Sequence, residues 1–121
     1  MEKLYIRLQR PIPGIDQLAA IDPERLAEFH GRWDNVAQQL DVDRINDFYV
    51  YEGEYSKTPG KWHRASNGLR AVRAVLEYYR SGQGPMSDEQ RQATINLFEA
   101  VEGILDEAGL RDIQFCFVGD Y

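Results

Sequence analysis

A chain of 121 residues with 43% hydrophobic and 28% charged side chains has the size and balance of one globular domain, which excludes a disordered or fibrous polymer. Its net charge of −6 weighs against a nucleic-acid partner, because affinity for phosphate backbones comes from clustered Lys and Arg. No apolar run approaches the roughly 20 residues of a membrane span and the opening Met-Glu-Lys-Leu-Tyr-Ile-Arg lacks a signal's apolar stretch, so no membrane partner and a cytoplasmic location are expected, a reducing compartment that also suits the lone Cys116.

Lys3 to Gln9 alternates, with Leu4, Ile6 and Leu8 on one side and Tyr5, Arg7 and Gln9 on the other, the period of a half-buried strand. Arg10-Pro11-Ile12-Pro13-Gly14 ends it, since proline removes ladder donors and Pro-Gly favours a turn. Asp22-Pro23-Glu24 then supplies a capping carboxylate, a first-turn proline and a first-turn acid. Leu26, Phe29, Trp33, Val36 or Ala37, and Leu40 follow at helical spacing, so a helix is predicted from there to about Leu40.

Asp47 to Tyr55 is rich in aromatic and β-branched residues and predicts a second strand, with Phe48 and Val50 opposed to Tyr49 and Tyr51. Thr58-Pro59-Gly60-Lys61 is expected to form a type II turn. A second helix is predicted from about Ser66 to Arg80, burying Leu69, Val72, Leu76 and Tyr79. Ser87 and Gln90 form a capping box for a third, whose stripe is Ile95, Phe98, Val101, Leu105 and Ala108, with Gly109 as its C-terminal cap. Asp112 to Val118 alternates again and predicts a third strand.

Three one-sided strands and three amphipathic helices predict an α+β two-layer sandwich within one domain, its mostly antiparallel or mixed three-stranded sheet covered on one face by helices. Tyr5, Tyr49, Tyr51, Cys116 and Val118 then crowd the other face, and a surface that apolar is expected to meet a partner.

Known chemical motifs fit poorly. Asp41-x-Asp43 with Asp47 and Glu52 has the outline of a calcium loop, but Ile45 and Asn46 stand where an oxygen ligand and the turn-making glycine belong. His30, His63 and Cys116 lack the paired spacing of a zinc site. His30 and Asp34 lie one helical turn apart, the spacing of an ordinary surface contact. Neither a metal nor another cofactor is expected, and no Walker loop, nucleophile elbow or dinucleotide fingerprint is present.

The richest segment is Tyr51-Glu52-Gly53-Glu54-Tyr55 through Lys61-Trp62-His63-Arg64. It gathers an imidazole, carboxylates, phenols, an indole and cations before a helix start suited to an anion. His63 with Glu52 is the weak catalytic candidate, and Tyr49, Tyr51, Tyr55, Trp62, His63, Arg64, Arg70 and Arg73 are the candidate partner-binding residues. Between Lys57 and Arg80 the chain carries +5 and elsewhere −11, so a basic helix face could steer an acidic partner or another copy of the chain. The expected function is a non-catalytic binding or regulatory protein that meets a protein partner or itself. A small enzyme or ligand-binding protein centred on Tyr51–Glu54 and Trp62–Arg64 is the alternative.

Overall fold

A computed structural model describes residues 2–51 and 62–120, without the side chains of Tyr51 and Asp120. Strand β1 (Lys3–Leu8) leads through a short α1 (Gln17–Ala20) into α2 (Pro23–Leu40). A 3₁₀ turn (Ile45–Phe48) precedes β2 (Tyr49–Tyr51), and the hairpin of α3 (Ala65–Arg80) and α4 (Asp88–Leu110) delivers the chain to β3 (Phe115–Asp120). The architecture is α+β with a mixed sheet: β3 lies in the middle, antiparallel to β1 and parallel to β2. Among the described residues no helix is long and apolar enough to cross a membrane.

Local chemistry explains most boundaries. After β1, Pro13-Gly14 makes the turn, with Gly14 at φ +82° and the Ile15 N–H donating to the Ile12 carbonyl. The Asp22 side chain accepts from the Glu24 N–H ahead of Pro23, and Ser87 and Gln90 make the reciprocal capping box. Helix α3 begins one residue earlier than expected, with Arg64 in the capping position and Ser66 and Asn67 already inside the first turn.

The two long helices that precede β2 and β3 stop by one device, and it is not the expected glycine. Helix α4 runs past Gly109 to Leu110, and Asp112 takes the left-handed conformation at φ 54°. The Ile113 N–H then donates to the Ala108 carbonyl, and the Asp112 N–H to that of Gly109. Helix α2 repeats this with Asp41 at φ 56° and bonds from Val42 to Ala37 and from Asp41 to Gln38. Both are Schellman closures in which aspartate, tolerant of this backbone region, replaces glycine.

The core lies between sheet and helices. Trp33 is fully buried at its centre, edge-on to Phe98 and Phe117 at 5.4 and 5.8 Å, with its indole N–H donating to the Asp43 carbonyl. Gly68 lets α3 approach the sheet. A Cβ placed there meets Phe115 at 2.6 Å and Leu105 at 2.9 Å. Arg91 holds the α3–α4 connection by donating toward the carbonyls of Gly82, Gly84 and Met86 while pairing with Asp88.

The expected strand faces need one correction. Phe48 ends the 3₁₀ turn rather than alternating within a strand, so β2 takes its phase from pairing with β3. Tyr49 stands opposite Phe117 on the helix side, its phenol over Gly119, and Val50 stands opposite Val118 on the outer side. A shift of one residue exchanges every side chain between faces. Val50, Cys116 and Val118 form a small outer cluster on which Trp62 packs, and all three are buried. Among the described residues the outer face therefore lacks Tyr49, and its Val50, Cys116 and Val118 are buried rather than open to a partner.

Candidate functional site

Among the described residues, those nominated from sequence lie on both sides of the sheet and along α3. His63 forms an antiparallel bridge with Phe115, each donating its N–H to the other's carbonyl at 2.9 Å. Its ring sits edge-on to Phe48 at 5.2 Å. Trp62, one residue earlier, packs on the outer cluster, so the two rings serve opposite sides of the sheet. Glu52, Glu54 and Tyr55 lie outside the described residues, as do Lys57, Lys61 and the Thr58–Lys61 turn, and the backbone of Tyr51 pairs with Gly119.

Arg64 is exposed beside a polar cavity of about 410 Å³ that it shares with Ser66, Asp112 and Gln114 at the start of α3. Arg70 is exposed, whereas Arg73 pairs with Glu102 at 3.1 Å and Asp106 at 3.4 Å, and Arg80 with Glu99 at 2.8 Å. The acidic complement of the basic helix face is thus partly supplied from within the chain, by α4. Such exposed pairs are worth only about 0–1 kcal/mol each, so they align the hairpin more than they stabilise it.

The groups able to do proton or nucleophile chemistry have structural partners. His30 Nε2 lies 2.8 Å from Asp34 and 3.2 Å from Asn46 Oδ1, and Asp34 also accepts from the Ile45 N–H at 2.6 Å. The His30 pKa is raised, chiefly by its hydrogen bond to Asp34, with burial opposing. This cluster clips α2 to the 3₁₀ turn that starts β2. Burial pushes the Cys116 thiol up to about 11, against the pull of Arg7, so it is neutral at physiological pH. Asp43 and Asp47, from the acidic loop, hold Trp33 through a carbonyl and Arg44 through a carboxylate.

A different surface is concave and apolar. Between α2 and the α3–α4 connection lies a cavity of about 440 Å³, lined among others by Gly31, Arg32, Val36, Tyr79, Pro85 and Met86. A second, of about 590 Å³, lies between the ends of α2 and α3 beside Leu40, Val42 and Ala74. Gln39 and Tyr78 line both, so the two lie side by side along the α2–α3 seam as a trough of two neighbouring hollows. Leu40 is 41% exposed at its far end.

The chain matches no protein-family model, no curated protein and no solved structure. Its chemistry is therefore read from its own surfaces.

Arg32 stands where three helices meet. Its guanidinium carbon lies 3.9 Å from the centre of the Phe29 ring, and one N–H donates to the buried Thr94 Oγ1 on α4 at 2.8 Å. The Tyr79 hydroxyl of α3 donates to the Arg32 carbonyl at 2.7 Å, and burial pushes the phenol's pKa up to about 12. Sequence reasoning missed this site because Glu28 and Arg32 have the spacing of a routine helix pair. The available signal was Gly31, an isolated glycine inside a strongly periodic helix, where it costs about 1 kcal/mol relative to alanine.

Proposed function

We propose that this is a non-catalytic binding protein that holds a segment of a protein partner in the α2–α3 trough. The observation that carries the proposal is the adjacency of two largely apolar cavities that share Tyr78 and Gln39, with the exposed Leu40 on the rim of the second. Concave apolar grooves between helices are a recurrent way of taking a partner's apolar side chains. The structural engagement of His30, Cys116 and the His63 backbone supports binding over catalysis. Burial of Val50, Cys116 and Val118 moves the expected contact surface from the sheet to the helices.

The test is a Leu40→Glu substitution, which puts a charge at the trough's mouth without touching the buried core. Affinity capture from cell extract with wild type and variant side by side, plus light scattering after size-exclusion chromatography, reads both kinds of association. A partner or dimer lost with Leu40→Glu, at unchanged circular dichroism and melting temperature, is the expected result. Association indifferent to this substitution refutes binding in the trough.

A further inference from the structure

We infer that the Arg32 end of the trough receives a carboxylate, so that the segment it holds carries an Asp or Glu next to apolar side chains. This rests on the proposed use of the trough and names the chemistry of its occupant.

Arg32 is half-buried and borders the cavity, yet among the described residues no carboxylate lies within 4.0 Å of its guanidinium. Glu28, one turn earlier and on the same rim, is exposed and does not pair with it. Of the five N–H donors a guanidinium offers, the described residues engage one, through the neutral hydroxyl of Thr94. Close contact with the Phe29 ring restrains the guanidinium, and a guanidinium fork suits two parallel bonds to a carboxylate. Arg25 approaches the same Phe29 ring at 5.7 Å, adding a second positive charge nearby. The chain's net charge of −6 does not cancel this, because charges more than about 8–10 Å away are largely screened at physiological salt.

Gly31 supports the same placement. Among the described residues, nothing beyond its chain neighbours and the backbone of its own helix lies within 4 Å of where its Cβ would be, so the fold gives no steric reason for a helix-weakening residue. The bare backbone leaves room for a ligand to lie against α2 beside the guanidinium.

A random peptide display library selected on the immobilised protein tests the inference, with titration of selected peptides and backbone NMR to locate them. The expected peptides combine bulky apolar residues with one acid at a fixed offset. Changing that acid to its amide weakens binding about tenfold or more. Gly31→Leu abolishes binding by filling the cavity without lowering the melting temperature, and selection on Arg32→Gln retains the apolar residues but loses the acid. Peptides that bind the trough, are blocked by Gly31→Leu and show no acid preference overturn the carboxylate inference and leave trough binding standing. Selected peptides insensitive to both Gly31→Leu and Leu40→Glu overturn both.

Discussion

Two glycines inside helices predict opposite outcomes for the same substitution. At Gly31 and at Gly68 the change to alanine removes a helix-interior glycine, which by itself is worth about 0.5–1 kcal/mol of stability. At Gly31 that gain is unopposed, since among the described residues no atom beyond its chain neighbours and its own helix backbone lies within 4 Å of the new methyl. At Gly68 the methyl meets Phe115 at 2.6 and 2.9 Å and Leu105 at 2.9 Å, both fully buried. Neither ring nor branched side chain has free space, so α3 must lift from the sheet or a rotamer must strain, at a typical cost of about 1–3 kcal/mol. Gly31→Ala should therefore stabilise by about 0.5–1 kcal/mol and Gly68→Ala destabilise by up to about 2 kcal/mol. For a domain of this size that is a rise of about 2–5 °C against a fall of up to roughly 10 °C. Urea denaturation at constant m-value, with thermal melts alongside, measures both. If Gly68→Ala proves as stable as Gly31→Ala, the close approach of α3 to Phe115 is refuted.

Replacing Asp41 or Asp112 with glycine should each add about 0.5–1 kcal/mol, because relief of a left-handed backbone worth about 1–2 kcal/mol outweighs glycine's entropic cost of about 0.5–1 kcal/mol; urea midpoints check it, and a loss at both positions argues against the Schellman closures. His30 has a folded pKa raised above the ordinary 6.5, so its contribution to stability is complete below that value and disappears as pH rises through the folded value. His30→Gln should flatten this part of the stability–pH curve, measured by denaturation at intervals between pH 5 and 8, roughly the window in which imidazoles titrate. The Cys116 thiol, buried with a pKa near 11, should react with iodoacetamide in native protein only as fast as the chain unfolds. Rapid labelling in native buffer contradicts its placement beneath Trp62.

The elements most legible in the sequence were those marked by local chemistry. Asp22-Pro23 and the apolar period through Leu40 locate α2, Ser87 with Gln90 locates the start of α4, and alternation followed by proline locates β1. What depends on contacts between distant segments was not legible. Asp47 and Phe48 read as strand because aromatic content suits strands, but Ile45 and Phe48 reach the core from a 3₁₀ turn, which reset the phase of Tyr49 and Val50. The end of α4 was obscured because Asp112, rather than Gly109, takes the left-handed position that closes it. Arg73 and Arg80 looked free for a partner until α4 brought Glu99, Glu102 and Asp106 beside them. The trough exists only in the gap between two packed helices, so its one trace in the sequence is Gly31.

The position of β3 has a kinetic consequence. Among the described residues β1 and β2 are both edge strands that touch the sheet only through Phe115–Asp120, the last of these three strands to be synthesised. During translation the helices can form and associate as they emerge, but neither the β1–β3 nor the β2–β3 hydrogen bonds can close until β3 has left the ribosome. β1 must then wait for a partner more than a hundred residues away, with its apolar side exposed. The nascent chain is most exposed to aggregation and chaperone capture in that interval, and a ribosome stalled just before Phe115 should hold a helical, protease-sensitive intermediate without a sheet.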